Sequence, residues 1–574
     1  MLKKIKYSFL QIVISLVIIL AGFQSITGQK LEPVNAGKGV ISLISKVQKE
    51  ASQIDSKPKL VVGIVVDQMR YDYLTRFWNH YGNGGFKRLV AEGFNCRNNH
   101  FNYIPTYTGP GHASVYTGTT PAYHGIIGND WFDKTTNEMV YCAGDNNYNS
   151  VGCNSGAGKM APSRLMTSTI TDQLRLATQQ RGKVIGIALK DRGAILPAGH
   201  AANAAYWFEG YDEGKWITSD YYLKELPEWV KTFNKSGKAK SYLKTWNTLL
   251  PIESYVESGS DNSDFEGAFM GEKAPVFPHN LKKLSKENDG FSILKSSPFG
   301  NSLTLDFALT ALEAEEMGKD SITDFLAISF SSTDYVGHQF GVNSKEVQDT
   351  YIRLDLELER LLKTLDEKVG VGEYSVFLTA DHGGVNVPAY LESLKIPAGY
   401  VDTREYAKVI SNNLEKTYNV KDLVLKVYND QIFIDHAKIE VEKLNLDQVI
   451  KSIVATVEKF KGVIGVYTKE QMITESYTQP LLSKLQRGYN YQRSGDVIYV
   501  LHPATISYSR TGSTHGSGFS YDTHVPLLFY GKGINTGSTV KRTEITDIAP
   551  TIAALLGISF PNASIGNPIE EILD

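Results

Sequence analysis

Three aspartates and three histidines in this chain occur in patterns that suit the binding of metal ions. Zinc prefers such nitrogen and oxygen ligands, and a site that keeps an open position uses about three protein ligands. Six ligands therefore suit two ions, which at roughly 3.5–4 Å apart clamp the attacking and leaving oxygens of an in-line displacement. The candidate ligands are Asp67, Asp334, His338, Asp381, His382 and His515.

Each of these residues also has an ordinary structural explanation. The chain has 12 histidines, and a single histidine in a loop is usually a polar surface group. An acid that follows a buried strand is often only a helix cap. The repetition of the pattern favours the metal site. Three apolar runs each end near an aspartate, and two of these aspartates have a histidine within four residues.

A displacement also requires a nucleophile, and the segment Tyr103–His112 offers Thr106 and Thr108. Thr108 precedes Gly109-Pro110-Gly111, which predicts a tight turn with little side-chain bulk. A threonine hydroxyl becomes a competent nucleophile when a metal ion lowers its pKa. Without the acidic residues, a threonine that only serves a turn would be the better interpretation.

Buried strands are the elements that must position these residues. The apolar runs Leu60–Val66 and Tyr374–Ala380 are typical of strands buried on both faces of a parallel sheet, and Lys183–Leu189 and Asp324–Ser331 are similar. Ligands lie outside the carboxyl ends of such strands, which is where Asp67 falls. Strands that alternate with helices predict an α/β fold, with a mostly parallel central sheet sandwiched by helices. Helices are predicted at Asp72–Gly93, Arg164–Gln180, Leu303–Met317, Glu346–Val369 and Thr546–Leu556, and a last core strand at Val525–Tyr530.

Two stretches depart from this alternation and predict inserted cap elements. Residues 200–300 show weak periodicity and are interpreted as an insertion over the edge of the sheet. Residues 390–500 are interpreted as an inserted α+β subdomain, with a hairpin at Asp422–Asp435 around Asn429-Asp430. The catalytic core is therefore expected at residues 59–389 and 501–574.

The first residues carry the pattern of a secretory signal peptide, which we assign to residues 1–28. A lysine-rich start precedes the apolar run Phe9–Ala21, which is shorter than the roughly 20 residues of a membrane span. An uncleaved anchor is the alternative. Residues 29–58 are interpreted as a lead-in segment. We therefore expect an exported, periplasmic protein with no stable membrane span after cleavage.

Composition limits the classes of partner. The 574 residues carry a net charge of −3, which implies no general attraction to nucleic acid, and we expect a monomer. Cys96, Cys142 and Cys153 lack metal-binding spacing. Export would permit a disulfide between Cys142 and Cys153, and this possibility stays open.

The order of the candidate residues resembles the alkaline phosphatase superfamily over about residues 59–560. That family places two zinc ions beside a serine or threonine nucleophile on a central sheet, so the resemblance implies that Thr108 is the nucleophile. It also implies two zinc sites, one formed by Asp334, His338 and His515 and the other by Asp67, Asp381 and His382.

Within the superfamily, the chain resembles the PafA-type periplasmic phosphate monoesterases. Asn129, Lys190 and Arg192 stand where those enzymes bind the phosphoryl oxygens, whereas diesterase relatives share the asparagine but typically lack the Lys/Arg pair. Sulfatase relatives need a Cys or Ser in a C/S-x-P-x-R context, which Thr108–His112 does not supply. With two zinc ions, the formal charges balance a monoester dianion and a threonine alkoxide, and unbalanced buried charge is costly.

The resemblance therefore implies an exported, zinc-dependent enzyme with two Zn²⁺ per chain. It would hydrolyse small-molecule phosphate monoesters through a phosphothreonine intermediate and release inorganic phosphate. One alternative is a nucleotide phosphodiesterase or pyrophosphatase on the same scaffold. A second alternative is a non-catalytic, metal-dependent phosphate-binding protein.

Overall fold

The computed structural model describes residues 57–211 and 214–573, and a ten-stranded sheet forms its centre. The predicted signal peptide and nearly all of the lead-in segment lie outside the described residues. The strands of this sheet and of a second, four-stranded sheet are, in chain order, β1 (Leu60–Val66), β2 (Phe94–Cys96), β3 (Ser150–Val151), β4 (Val184–Ala188), β5 (Ala204–Glu209), β6 (Lys215–Ser219), β7 (Asp324–Phe330), β8 (Tyr374–Thr379), β9 (Val424–Tyr428), β10 (Gln431–Ile434), β11 (Val463–Thr468), β12 (Val497–Leu501), β13 (Leu527–Gly531) and β14 (Gly537–Thr539).

The central sheet has the strand order β14-β2-β13-β8-β1-β7-β4-β5-β6-β3. Its five middle strands, β8, β1, β7, β4 and β5, are parallel, whereas β13 and β6 join them antiparallel. All seven residues of β1 are buried, as expected for a strand covered on both faces. The predicted α/β class is confirmed, and the antiparallel edges make the whole sheet mixed.

Helices connect the strands and pack against the sheet. The two longest, α5 and α7, contact each other, and α5 also packs on β7. The helices of eight or more residues are α1 (Thr108–Thr117), α2 (Ile170–Ala177), α3 (Asp191–Ala198), α4 (Glu228–Lys235), α5 (Pro298–Ala314), α6 (Ser332–Phe340), α7 (Lys345–Leu365), α8 (Thr403–Tyr418), α9 (Leu446–Val457), α10 (Pro480–Gly488) and α11 (Ile548–Leu556).

Two predicted helices are wrong in extent. The helix predicted at Arg164–Gln180 begins only at Ile170, because the Thr169 side chain caps it and pairs with Asp172 in a capping box. The single helix predicted at Asp72–Gly93 is instead divided into short pieces. They are Tyr73–Arg76, the 3₁₀ turn Trp78–His80 and Phe86–Glu92.

The segment that carries Thr108 also differs from its prediction. Thr108 is the first residue of α1, so Gly109-Pro110-Gly111 forms the first helical turn rather than a separate tight turn. Proline is tolerated there because its missing N–H has no partner in the helix. A Cβ on Gly111 would lie 2.3 Å from the carbonyl oxygen of Asp381. Glycine therefore lets α1 approach the end of β8.

The region of the predicted insertions contains two kinds of structure. Residues 204–209 and 215–219 form β5 and β6 of the central sheet. The rest of the described part of 200–297 contains short helices, turns and a two-stranded sheet of Thr245–Trp246 and His279–Asn280. Beyond residue 400, the strands β9-β10-β12-β11 form the four-stranded sheet. Helices α8 and α9 cover it with a separate hydrophobic cluster that includes Ile410, Ile432 and Val497.

Two further observations concern the cysteines and the membrane. Cys96, Cys142 and Cys153 are all free thiols, so no Cys142–Cys153 disulfide is present. Among the described residues, no helix is long and apolar enough to cross a membrane.

Candidate active site

Four neighbouring strands of the central sheet have charged residues at or just beyond their carboxyl ends. Strands β8, β1, β7 and β4 are consecutive and parallel, so their carboxyl ends lie side by side. Asp67 follows β1 directly, and Asp381 and Lys190 follow β8 and β4 after one intervening residue. Asp334 lies in the first turn of α6, just beyond β7. All four side chains are buried. Open α/β sheets bind ligands just outside the carboxyl ends of their strands, which is where these residues lie.

The six predicted ligands form two groups of three. Within each group, the potential ligand atoms all lie within 4.8 Å of one another. Stacking of the His382 and His515 rings, with centroids 3.3 Å apart, places the two groups next to each other. We call Asp67, Asp381 and His382 the first triad and Asp334, His338 and His515 the second triad.

The three imidazoles are oriented in the same way. Each ring donates Nδ1–H to a backbone carbonyl, which leaves the Nε2 lone pair directed toward the carboxylates. Such a second contact fixes the tautomer and ring orientation of histidine ligands in metal sites. The pairs are His338 with the Ser513 carbonyl (2.7 Å), His515 with the Thr106 carbonyl (2.7 Å) and His382 with the Gly383 carbonyl (2.9 Å).

Two carboxylate oxygens in the first triad have no hydrogen-bond partner among the described residues. They are Oδ1 of Asp67 and Oδ2 of Asp381, and both residues are fully buried. Burial together with the negative charge of Asp67 raises the pKa of Asp381 well above its usual value. A bound cation would satisfy both oxygens and remove the repulsion. The residues therefore fit a metal site.

The buried ammonium group of Lys190 joins the two triads. Its Nζ lies 2.5 Å from Oδ2 of Asp67 and 2.5 Å from Oδ2 of Asp334. Burial disfavours the charge, but the two carboxylates outweigh this penalty and raise the pKa of Lys190. Burial likewise opposes the ionisation of Asp67. The positive charge of Lys190 outweighs the effect of burial, so the pKa of Asp67 is lowered.

Arg192 lies in the first turn of α3, and the Asn129 side chain contacts the start of α1. Arg192 donates from Nη1 to the Tyr141 hydroxyl (3.1 Å). Its buried Nε–H has no partner among the described residues. Oδ1 of Asn129 accepts from the Gly109 N–H (2.7 Å) at the start of α1. The Asn129 amide nitrogen is the donor that remains.

Thr108 lies beside the first triad. Its Oγ1 is 3.4 Å from Nε2 of His382, and the residue is 1% exposed. Because Thr108 opens the ten-residue helix α1, the positive end of the helix dipole favours negative charge at this position. The geometry suits an ionised hydroxyl that attacks an electrophile held between the triads.

Sequence analysis missed Gln68, which contacts both triads. Its backbone N–H donates to Oδ1 of Asp381 (3.2 Å), and its side-chain Nε2 donates to Oδ1 of Asp334 (2.7 Å). The residue is buried and has φ of +59°, a left-handed conformation that few residues other than glycine adopt. Its position directly after Asp67 was the available signal.

His112 and Asp522 were also missed. Nδ1 of His112 donates to the Thr108 carbonyl (2.9 Å), and its Nε2 pairs with Oγ of Ser329 (2.9 Å). Oδ2 of Asp522 accepts from the N–H groups of Gly516 (3.1 Å) and Ser517 (2.8 Å), which fixes the loop after His515. The four-residue spacing from Thr108 to His112 could have identified the first contact.

The chain is similar to known proteins over most of its length. Residues 61–524 match the family of type I phosphodiesterases and nucleotide pyrophosphatases. The chain is 47% identical to a protein named calcium-transporting ATPase from Myroides odoratus, with 91% of this chain and 96% of the relative covered. It is 42% identical to alkaline phosphatase PafA from Elizabethkingia meningoseptica, with coverages of 93% and 98%. It is 44% identical to alkaline phosphatase PhoV from Synechococcus elongatus, with coverages of 92% and 96%.

The chain is also similar to a solved structure. The crystal structure of alkaline phosphatase PafA superimposes with a TM-score of 0.87 at 43% identity, covering 90% of this chain and 99% of that one. The fold and the site thus define an enzyme of the alkaline phosphatase class. The chain belongs to the type I phosphodiesterase and nucleotide pyrophosphatase family within the alkaline phosphatase superfamily.

Proposed function

We propose that this chain is an exported, zinc-dependent phosphate monoesterase that acts through a phosphothreonine intermediate. The supporting observation is Lys190, whose Nζ lies between Asp67 and Asp334 and so adds a positive charge at the junction of the two triads. Arg192 adds a second cationic group nearby on α3. The alkaline phosphatase relatives support hydrolysis of phosphate monoesters.

The two triads would hold the metal ions through their carboxylate oxygens and Nε2 atoms. Bound zinc supplies Lewis acidity, which lowers the pKa of the Thr108 hydroxyl and stabilises the oxygen of the leaving alcohol. Imidazole and carboxylate ligands suit zinc. Gln68 and the backbone carbonyls that accept from the histidines orient the ligands.

Thr108 is the proposed nucleophile. Its Oγ1 attacks phosphorus in line, so the Oγ1–P bond forms while the bond from phosphorus to the alcohol oxygen breaks. Water then attacks the phosphothreonine from the vacated side and releases inorganic phosphate together with free Thr108. The N-terminus of α1 stabilises the negative charge on Oγ1 in both steps.

Asn129, Lys190 and Arg192 are proposed to bind the nonbridging phosphoryl oxygens. Phosphoryl transfer is catalysed mainly by positioning and by stabilising the charge on these oxygens. With two zinc ions, the formal charge of the site balances a monoester dianion and a threonine alkoxide. A diester carries one negative charge fewer and would leave the closed site unbalanced.

The proposal is tested by comparing p-nitrophenyl phosphate with bis-p-nitrophenyl phosphate on purified protein of known metal content. We expect two zinc ions per chain and a kcat/KM that is larger for the monoester. A preference for the diester would overturn the proposal. It would instead support the second candidate, a nucleotide phosphodiesterase, which the matched family description favours. Tight phosphate binding without turnover of either ester would indicate a non-catalytic binding protein.

Export and organisation complete the proposal. We assign residues 1–28 as a cleaved signal peptide and the periplasm as the location, with the mature chain a monomer. Residues 390–500 are proposed to be an inserted subdomain of the core. Cell fractionation, with mass spectrometry of the mature N-terminus, tests the first two assignments. An intact N-terminus in a membrane fraction would contradict them.

A further inference from the structure

The tip of the β9–β10 hairpin reaches the active site. The two turn residues, Asn429 and Asp430, have φ of 51° and 58°. Two successive residues with positive φ fit the tight hairpin turns whose twist matches the flanking strands. Asparagine and aspartate adopt this conformation more readily than other residues with a side chain. The hairpin therefore presents two polar side chains at a defined position.

Contacts hold this tip against the segment that carries Asn129. Nδ2 of Asn429 donates to the Asp130 carbonyl (2.8 Å). A Cβ on Gly128 would lie 2.7 Å from the same nitrogen, so the two chains meet closely here. The Tyr499 N–H donates to the Asp430 carbonyl (3.0 Å) and fixes the other side of the turn. The tip is thus an anchored part of the site.

A cavity of about 150 Å³ lies between this tip and the metal-binding residues. Its lining includes Asp430, Tyr499, Tyr107 and His515. Tyr107 precedes the nucleophile, and its ring packs edge-on against that of His515, with centroids 5.7 Å apart. The cavity therefore borders both the start of α1 and the second triad.

The lining of this cavity is negatively charged on balance. It contains the carboxylates of Asp430 and Asp522 and, among the described residues, no lysine or arginine. Asp522 is occupied by the N–H groups of Gly516 and Ser517. Asp430 forms no ion pair among the described residues, and the hydroxyls of Tyr107, Tyr406 and Tyr499 are near enough to interact electrostatically with its carboxylate.

We propose that Asp430 selects the leaving group of the substrate, favouring phosphate monoesters whose alcohol carries an ammonium group over those whose alcohol carries a carboxylate. This inference rests on the proposed function, in which the second triad faces the leaving alcohol. An alcohol held there extends toward the cavity beside His515. A cationic group is then attracted by Asp430, and an anionic group is repelled, with no lysine or arginine among the described lining residues to offset this repulsion.

The ionisation of Asp430 is consistent with this role. Burial raises the pKa of its carboxyl group to about 6. The group therefore carries its charge in an assay buffer above neutral pH. At a separation of roughly 8 Å and an intermediate effective dielectric, one unit charge changes binding of another by about fivefold.

The test uses three esters of primary alcohols: phosphoethanolamine, glycerol 3-phosphate and 3-phosphoglycerate. The last two differ chiefly in a carboxylate. We expect D430N to lower the kcat/KM ratio of phosphoethanolamine to glycerol 3-phosphate by about fivefold. It should raise the ratio of 3-phosphoglycerate to glycerol 3-phosphate by a similar factor. Both ratios are compared with those of the wild-type chain, so the intrinsic reactivity of each ester cancels.

The matched control is D422N, which removes an exposed carboxylate at the other end of the same hairpin. It should leave both ratios unchanged, and p-nitrophenyl phosphate turnover shows that each variant is folded. Unchanged ratios in D430N would overturn the inference. Absence of monoesterase activity in the wild-type chain would instead refute the proposed function, so the two failures are distinguishable.

Discussion

Oγ1 of Thr108 lies 3.4 Å from Nε2 of His382. Thr108 opens α1, and His382 follows the end of β8, so residues 274 positions apart meet at this point. The contact associates the proposed nucleophile with the first triad, whereas the cavity beside the β9–β10 hairpin borders the second triad. The two triads therefore have different surroundings, as an attacking side and a leaving-group side require.

Replacing Thr108 by alanine should abolish turnover. Because the hydroxyl is the proposed nucleophile, we expect kcat for p-nitrophenyl phosphate to fall by at least about 10³-fold. No phosphorylated protein should be trapped by rapid acid quench. T108S should retain a measurable fraction of activity and form phosphoserine. The control is T106A, because the Thr106 hydroxyl instead donates a hydrogen bond to the Ser517 carbonyl (2.9 Å). Phosphoenzyme in T108A would remove the assignment.

Removing the metal ions should destabilise the protein as well as inactivate it. Oδ1 of Asp67 and Oδ2 of Asp381 are buried and lack hydrogen-bond partners among the described residues. Burial and the Asp67 charge raise the pKa of Asp381, and a bound cation would favour its ionised form. We expect chelation to lower the midpoint of thermal unfolding and zinc to restore it. D381N should bind about one ion per chain, measured by elemental analysis. If zinc left the wild-type unfolding midpoint unchanged, a tightly coupled metal site would be ruled out.

Removing Lys190 and Arg192 should slow the hydrolysis of monoesters more than that of diesters. Both cations are proposed to match the additional negative charge of a monoester dianion. The double variant K190A/R192A should lose at least about 10²-fold in kcat/KM for p-nitrophenyl phosphate. Hydrolysis of the bis ester should change by less than about tenfold. An equal loss for both esters would show that the two residues do not distinguish the substrates. K183A, which removes a lysine distant from the triads, serves as the control.

Gln68 should tune metal affinity without touching the substrate. Q68L keeps the side-chain length approximately but removes the Nε2 donor to Asp334, while the backbone N–H to Asp381 remains. Loss of an outer contact to a ligand weakens metal binding by about 10–100-fold. Competition with a chromophoric chelator measures the effect directly. The exposed glutamine variant Q492L should behave as wild type, and an unchanged affinity in Q68L would exclude this positioning role.

A buried histidine that belongs to neither triad should make stability depend on pH. His279 bonds Glu272 through Nδ1 (2.9 Å) and Glu346 through Nε2 (3.2 Å). Burial disfavours the imidazolium, but the two glutamates outweigh it and raise the pKa of His279 to about 9. Because the folded pKa exceeds that of the unfolded chain, this stabilisation is complete below about pH 6.5 and is lost as pH rises through about 9.

H279Q should therefore lower the free energy of unfolding by on the order of 3 kcal/mol more at about pH 6 than at about pH 10. Denaturant unfolding of both proteins at the two pH values measures this difference. H502Q, at an exposed histidine, should show no such dependence. A pH-independent effect of H279Q would mean that His279 is neutral in the folded protein.

Local patterns predicted the strands because each strand is covered on both faces. An apolar run such as Leu60–Val66 has the same appearance in the sequence and in the fold, and β1 has the predicted bounds. Glycine and proline obscured the helix that begins at Thr108, because these residues usually end helices. In α1 they occupy the first turn, where a missing N–H costs little and Gly111 permits contact with Asp381.

By itself, the sequence determined the strands, the α/β class and the residue types of the two triads, since these depend on local patterns of apolar and ligand residues. Only the tertiary structure decided which side chains meet. The order of neighbouring strands places Lys190 between Asp67 and Asp334, and the φ of Gln68 directs one residue to both triads. Such contacts join residues more than 100 positions apart. They follow from the order of the strands in the sheet, which leaves no local signal in the chain.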